Sequence, residues 1–191
     1  MGVVRTVAWL AALVYSTIPA FWLVIHPFAG YWRTRHRKPL LVLGPMWLMM
    51  WVLAGYITAP WRNVLLYDHS VAWIAGLALL ATAVFIYRRA HHDFTADQVL
   101  GRSELQPAQH EQRLATTGIR ARMRHPLYLA HLCALLGLTV GAGSRALFVL
   151  TAFAVVTGFF MIRMEERELE QRFGEEYREY KRRVPAILPR L

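Results

Sequence analysis

Two polar segments near the C-terminus contain the side chains that could perform chemistry. Residues 124–128 read Arg-His-Pro-Leu-Tyr, and residues 165–180 begin with Glu165 and Glu166. A long apolar stretch lies between them, and such a stretch can fold back as a helical hairpin that brings both segments to one membrane surface. The spacing therefore predicts a polar pocket at the lipid boundary.

The two glutamates precede a predicted amphipathic helix. Its apolar positions recur at intervals of three or four, and they are Leu169, Phe173, Tyr177, Tyr180 and Val184. Glu165 lies one turn before Leu169 on the same face, so we expect it to point inward. A buried carboxylate at a membrane boundary is costly without a cationic partner. That partner is either a structural arginine, namely Arg120, Arg124 or Arg163, or a cationic ligand.

The neighbouring polar residues also have two interpretations. Glu166 follows Arg163 by three residues, a spacing that allows a salt bridge on a helix surface. His125 precedes Pro126, which lacks a backbone donor and favours an extended conformation just before a helix. Tyr128 then falls in the first turn of that helix. His125 is either an ordinary hydrogen-bonding residue or, with Tyr128, part of the mouth of the pocket.

Composition indicates the elements that must position these residues. Hydrophobic residues make up 56% of the chain and charged residues only 18%, which is typical of an all-α polytopic membrane protein. Five apolar runs are near the length needed to cross a bilayer. We place them at residues 7–25, 40–58, 71–87, 127–140 and 146–162. Gly137 and Gly141 have the spacing of closely packed membrane helices, and residues 141–145 form a predicted tight turn.

The basic residues predict the orientation. Segments 33–38, 88–124 and 163–190 contain 19 of the 22 Lys and Arg residues, so the positive-inside rule places the N-terminus outside and both polar segments in the cytoplasm. The excess of Arg over Lys favours a GC-rich genome and a bacterial inner membrane. No nucleic-acid-binding module is visible, and basic residues beside membrane spans neutralise anionic head groups instead. We treat residues 1–191 as one membrane domain, with a three-helix part (1–87) and a second part (88–191).

Three other patterns do not indicate a functional site, and one long segment has a predicted structural role. The single cysteine, Cys133, excludes an intrachain disulfide and a multi-thiolate metal site. Adjacent residues on a helix point about 100° apart, so His91, His92 and Asp93 do not converge on a metal ion. Residues 141–146 match a dinucleotide-binding fingerprint in letters only, because no strand precedes them. Residues 88–126 are long for a connector and form the predicted roof of the pocket.

The polar segments resemble a known family. The matching positions are the Arg-His-Pro-Leu-Tyr segment, the preceding residues 114–118, and the Glu-Glu, Phe-Gly, Tyr and Val-Pro positions of 165–185. Together they resemble the isoprenylcysteine carboxyl methyltransferase and phospholipid methyltransferase family. The resemblance covers residues 110–190. It implies an integral-membrane methyltransferase that uses S-adenosylmethionine. The implied cofactor-binding residues are Gln112, Leu114, Ala115, His125, Pro126, Tyr128 and Glu165, to which we add Arg120 as a partner for a carboxylate or phosphate.

The resemblance also implies roles for these residues in binding the cofactor and the acceptor. S-adenosylmethionine carries an ammonium and a sulfonium, which would give Glu165 a cationic partner, while Tyr128 and the loop would hold the adenosine. The acceptor is expected to be a lipid or lipidated molecule, either a phospholipid amine or a prenylcysteine-like carboxylate. An amine must lose a proton, for which Glu166 and His131 are the candidate bases. Arg163, with Arg120, is expected to hold an anionic group of the acceptor.

Two departures from the family pattern leave alternatives open. Arg120 stands where the family commonly has a tyrosine, and Met161 stands where the eukaryotic isoprenylcysteine enzymes have an arginine. The first departure keeps open a non-catalytic membrane scaffold with the same fold, and the second weakens the case for a prenylcysteine substrate. An NADPH-dependent membrane reductase of the sterol-reductase type is a further alternative, although such proteins have many more spans.

Overall fold

The computed structural model describes residues 2–28, 30–31, 40–91 and 114–188. The stretch 92–113, which includes the predicted cofactor residue Gln112 and most of the predicted roof, lies outside the described residues, as do the basic residues of 33–38. Within the described ranges, six α-helices make up the fold. They are α1 (Gly2–Ile25), α2 (Leu40–Thr58), α3 (Ala72–His91), α4 (Pro126–Ala142), α5 (Arg145–Phe173) and α6 (Glu175–Arg183).

The predicted all-α polytopic membrane fold is confirmed. Four helices, α1, α2, α3 and α5, are long and apolar enough to cross a membrane, and α4 is a shorter apolar helix of 17 residues. Helix α5 continues past the predicted span end at residue 162 to Phe173. Its last turns are rich in Glu and Arg, which are strong helix formers, so the helix extends beyond its apolar part.

Close packing of α3 against α4 depends on glycines. A Cβ atom placed on Gly137 would lie 2.7 Å from the Gly76 carbonyl oxygen, and one on Gly141 would overlap the Trp73 ring. Neither contact leaves room for a side chain, so the two helices can approach only where these positions are glycine. The interpretation of Gly137 and Gly141 as a close-packing pair is confirmed.

The predicted turn between α4 and α5 is also confirmed. Gly143 adopts a φ of +63° and ends α4, and a Cβ there would meet the Tyr67 carbonyl oxygen. The backbone on either side pairs with the segment after α2, because Leu66 donates to the Gly143 carbonyl at 2.9 Å and Arg145 donates to the Val64 carbonyl at 2.8 Å. This end of the hairpin is therefore fixed to the N-terminal half of the chain.

Helix α1 packs along α4 and α5 at the centre of the bundle. Small and branched residues form this core, including Ala8, Ala12, Leu13, Leu135, Leu147 and Leu150. Two pairs of buried polar groups meet in the bundle: the Thr139 and Thr151 hydroxyls lie 2.7 Å apart, and the Trp9 indole donates to Thr58 at 2.9 Å. The hydrogen bonds satisfy groups that cannot reach water inside a membrane.

The C-terminal amphipathic helix is present as α6, but one detail of the prediction is wrong. Residues 169–184 do not form a single helix, because Gly174 adopts a φ of +57° and separates α5 from α6. Glycine reaches this left-handed conformation without a side-chain clash, so the chain changes direction there. The predicted apolar positions still meet in one cluster that contains Leu114, Leu169, Phe173, Tyr177, Tyr180 and Val184.

Candidate functional site

The Arg-His-Pro-Leu-Tyr segment is held against the end of the chain. Backbone amides of Arg124 and His125 donate to the carbonyls of Pro185 and Ala186, both at 2.9 Å. Helix α4 then begins at Pro126, which needs no backbone partner in the first turn. The residues after α6 therefore support the segment that precedes α4. Only the Val184-Pro185 pair of the family resemblance pointed to this role.

Glu166 is the centre of a buried charge network. Its Oε1 accepts a hydrogen bond from Arg124 Nε at 2.9 Å and a second from the same guanidinium through Nη2, and His125 Nε2 lies 3.2 Å away. Its Oε2 lies 3.0 Å from Lys181 Nζ. The Arg124 and Glu166 side chains are 8% and 11% exposed. Two cations and an imidazole therefore hold this carboxylate.

Glu165 is placed differently from its neighbour. Its Oε2 lies 3.5 Å from His125 Nδ1, without hydrogen-bonding geometry, and this buried oxygen has no hydrogen-bond partner among the described residues. The imidazole of His125 thus lies between two carboxylates and stacks on the Tyr128 ring at 5.4 Å. The expected structural ion pair with Arg124 forms at Glu166 rather than at Glu165. A buried carboxylate oxygen without a donor suits a cationic ligand such as an ammonium group.

The Arg163–Glu166 salt bridge allowed by the sequence does not form. The Arg163 side chain is exposed, and its guanidinium lies 4.1 Å from the centre of the Phe159 ring. The three partners of Glu166 described above come from outside α5. Arg163 and Glu166 nevertheless line the same cavity, so both remain at the predicted pocket.

That cavity has a volume of about 420 Å³ and lies between α1, α4, α5 and the residues after α6. Its polar groups come from Tyr15, Tyr128, His131, Arg163 and Glu166. The remaining lining residues are Ile18, Pro19, Leu132, Leu135, Ala154, Val155, Gly158, Phe159, Met161, Ile162, Ala186 and Ile187. A mostly apolar chamber with a few polar groups is typical of a small-molecule site. Val155, Phe159 and Arg163 are exposed residues of one α5 face, so they form the rim of the cavity.

The other sequence-predicted residues lie around this centre. Leu114 packs in the cluster under α6, and Ala115 beside it is half-buried. The Arg120 carbonyl accepts a hydrogen bond from the Tyr180 hydroxyl at 2.7 Å. His131 is one turn below Tyr128 on α4 and reaches the apolar part of the cavity. The described part of the chain contains no group of acidic, histidine or cysteine residues that could hold a metal ion.

Sequence reasoning missed two contributors. Lys181 is not one of the predicted apolar positions of the C-terminal helix, but the turn at Gly174 lets it reach Glu170 at 2.7 Å and Glu166 at 3.0 Å. These contacts, chiefly the hydrogen bond to Glu170, raise the pKa of Lys181. Tyr15 comes from α1, far away in sequence, and no local pattern indicated that it would line the cavity.

Tyr177, which the sequence placed on the apolar face of the C-terminal helix, also contributes a buried hydroxyl group. The side chain is 1% exposed, and its hydroxyl is buried without a hydrogen-bond partner in the described part of the chain. Burial, and then the charge of Glu166, raises the pKa of this phenol. The hydroxyl therefore stays protonated and available as a donor next to the glutamate pair.

Comparisons with known proteins show which family the chain is similar to. The family model described as phospholipid methyltransferase matches residues 71–176, which run from the start of α3 to the start of α6. Methanethiol S-methyltransferase 1 of Bradyrhizobium diazoefficiens is 32% identical over 119 residues, which cover 60% of this chain and 39% of the relative. Methanethiol S-methyltransferase 2 of the same organism is 29% identical over 75% of this chain and 55% of the relative.

A third relative carries a different name. Mouse protein-S-isoprenylcysteine O-methyltransferase is 31% identical over 122 residues, which cover 63% of this chain and 43% of the relative. The chain thus matches about half, or less, of the length of these curated relatives. No solved structure matches it significantly. Because the family model covers more than half of the 191 residues and includes the Arg-His-Pro-Leu-Tyr segment and both glutamates, the chain belongs to the phospholipid methyltransferase family.

Proposed function

We propose that this membrane protein transfers a methyl group from S-adenosylmethionine to an apolar, membrane-partitioned acceptor bound in the 420 Å³ cavity. The observation that carries the proposal is the position of His125 between Glu165 and Glu166, because Glu166 also lines the apolar cavity. When bound, S-adenosylmethionine supplies an electrophilic methyl group on a sulfonium.

The residues around His125 have complementary roles in this proposal. Glu165, whose Oε2 lacks a donor, would bind the ammonium of the methyl donor. Tyr128, Leu114 and Ala115 would hold the adenosine, with Arg120 near its carboxylate, and the proposal extends to Gln112 from the family resemblance alone. His125 and Pro126 define the wall where α4 begins.

Glu166 has a structural role in the proposed site. Its carboxylate is already bound by Arg124, His125 and Lys181, so it is a poor acceptor for another proton. We therefore assign Glu166 to holding the imidazole and the guanidinium in place. This replaces the sequence-based expectation that it deprotonates the acceptor.

The acceptor would lie with its apolar part along α1 and α5. Orientation of the reacting atom toward the donor can supply most of the rate enhancement in such a transfer. Arg163 at the rim would bind an anionic group of an acceptor that carries one. The relatives' names include a small thiol and an isoprenylcysteine, and the apolar cavity can hold the apolar part of either. With the basic segments in the cytoplasm, the donor would enter from that side.

The direct test is ligand binding followed by turnover. The purified full chain in detergent or nanodiscs should bind S-adenosylmethionine and not NADPH in calorimetry, and should methylate at least one apolar thiol, amine or carboxylate. Binding of NADPH alone would favour the reductase alternative. Absence of binding to either cofactor would favour the non-catalytic scaffold and refute the proposal.

A further inference from the structure

We infer that His131 is the base that deprotonates the acceptor, and that the acceptor is therefore a neutral thiol rather than a carboxylate. The inference rests on the proposed methyl transfer and specifies its substrate class. It starts from the one imidazole that the described part of the cavity wall contains.

A hydrogen bond fixes the tautomer of His131. Its Nδ1 lies 2.5 Å from the Leu127 carbonyl oxygen one turn earlier in α4. A carbonyl oxygen only accepts hydrogen bonds, so Nδ1 carries the hydrogen and the neutral ring has its lone pair on Nε2. No hydrogen bond occupies Nε2 among the described residues, and the side chain lines the cavity.

Two aromatic side chains from other helices hold the ring in place. Tyr15 of α1 and Tyr87 of α3 both pack edge-on against it, with ring centres 5.5 and 5.3 Å from the imidazole. Three helices therefore build this environment. A base held by its neighbours in this way loses little freedom when it reacts.

The other polar groups nearby are weaker bases. Glu166 is occupied by its three partners, and Arg163 is a cation. The other polar side chains beside His131 are the phenols of Tyr15 and Tyr87, whose rings pack against it, and the phenol of Tyr128 one turn above it; phenols ordinarily ionise only in alkaline solution. His131 therefore offers the basic lone pair in the described wall that no hydrogen bond occupies.

The proton balance selects the acceptor. In the transfer, the acceptor sulfur forms a bond to the methyl carbon, the bond from that carbon to the donor sulfonium breaks, and the S–H proton passes to His131 Nε2. The donor leaves as a neutral thioether, and the imidazolium returns its proton to water through the polar end of the cavity. A carboxylate has no proton to lose and would gain nothing from this base.

Desolvation points in the same direction. A neutral thiol enters an apolar chamber at little cost, whereas a carboxylate or an ammonium must leave its hydration shell. A thiol reacts as its thiolate, so a base positioned inside the cavity generates the nucleophile only after the substrate has entered. The apolar lining and the free imidazole nitrogen of His131 therefore both favour a neutral thiol as the acceptor.

The test compares two thiols of different acidity in the full-length protein. Hexanethiol is almost fully protonated at pH 7.5 and needs a base, whereas thiophenol is largely ionised and does not. We expect His131→Gln to lower kcat/KM for hexanethiol by roughly two to four orders of magnitude, the usual contribution of a general base. The loss for thiophenol should be less than tenfold, and binding of S-adenosylmethionine should be unchanged.

Two further measurements separate catalysis from packing. Imidazole added to His131→Ala should restore part of the hexanethiol rate, and the acidic limb of the wild-type pH profile for hexanethiol should disappear in the variant. Cys133→Ala, a change two residues away in the same helix, should keep the wild-type profile.

The outcomes distinguish the inference from the proposed function. Equal losses on both thiols, no loss on hexanethiol, or wild-type turnover of carboxylates or phospholipid amines but not thiols would each overturn the role of His131, while methyl transfer itself would stand. A wild-type protein that methylates nothing would refute the proposed function.

Discussion

Glu165 and Glu166 are adjacent glutamates whose replacement should have opposite consequences. Glu166 binds Arg124, whose side chain is 8% exposed, whereas Glu165 Oε2 has no donor in the described part of the chain. The isosteric changes Glu165→Gln and Glu166→Gln therefore form a matched pair. The first removes a charge from the proposed donor site, and the second removes it from the structural network.

The magnitudes follow from these environments. Loss of one partner from a buried ion pair costs about 3 to 5 kcal/mol, because the remaining charge stays buried, so Glu166→Gln should destabilise the protein by that order through Arg124. The half-exposed Lys181 should add little. Glu165→Gln should leave stability within about 1 kcal/mol but lose a charge-assisted hydrogen bond of ~1.5 to 3 kcal/mol. The dissociation constant for S-adenosylmethionine should then rise about 10- to 150-fold.

Calorimetry and thermal unfolding in the same detergent provide the readouts. The expected pattern is a stable Glu165→Gln protein that binds the donor weakly and a destabilised Glu166→Gln protein. Unchanged donor affinity in Glu165→Gln would assign that residue a structural role. Wild-type stability in Glu166→Gln would show that the charge network does not hold the Arg-His-Pro-Leu-Tyr segment in place.

Three further predictions test the topology, the packing and the rim of the cavity. In a cysteine-free background, a cysteine at the exposed Asn63 should react with an impermeant reagent from outside, and one at Glu176 only after permeabilisation; the reverse pattern would contradict the orientation. Gly137→Ala should destabilise the bundle by about 1 to 3 kcal/mol, because its methyl group would meet a backbone carbonyl of α3 at 2.7 Å, whereas Gly158→Ala, with ordinary contacts at 3.8 Å, should be nearly neutral. Equal melting temperatures for the two would refute the close-packing argument. Arg163→Ala should lower turnover of acceptors with an anionic group and leave donor affinity and thiol turnover intact; unchanged rates on every acceptor would assign Arg163 only to its contact with Phe159.

Much of this architecture could be predicted from local sequence. The apolar runs had to become helices because a bilayer offers no partner for an unpaired backbone. Pro126 marks the start of α4, and residues 141–145 mark the hairpin turn, because proline and glycine restrict or extend the backbone conformations available there. The resemblance to the family likewise depends on short motifs that can be recognised in the sequence alone.

Tertiary structure decided which charges meet. Neighbouring residues on a helix point about 100° apart, so the sequence placed Glu165 inward but could not show that Glu166, rather than Glu165, would meet Arg124. The turn at Gly174 redirects the chain and brings Lys181 to Glu166, and the residues after α6 return to pair with Arg124 and His125. The cavity joins Tyr15 to His131 across 116 positions of sequence. Contacts between distant elements depend on how whole helices pack, and that information is spread over every residue of their interfaces.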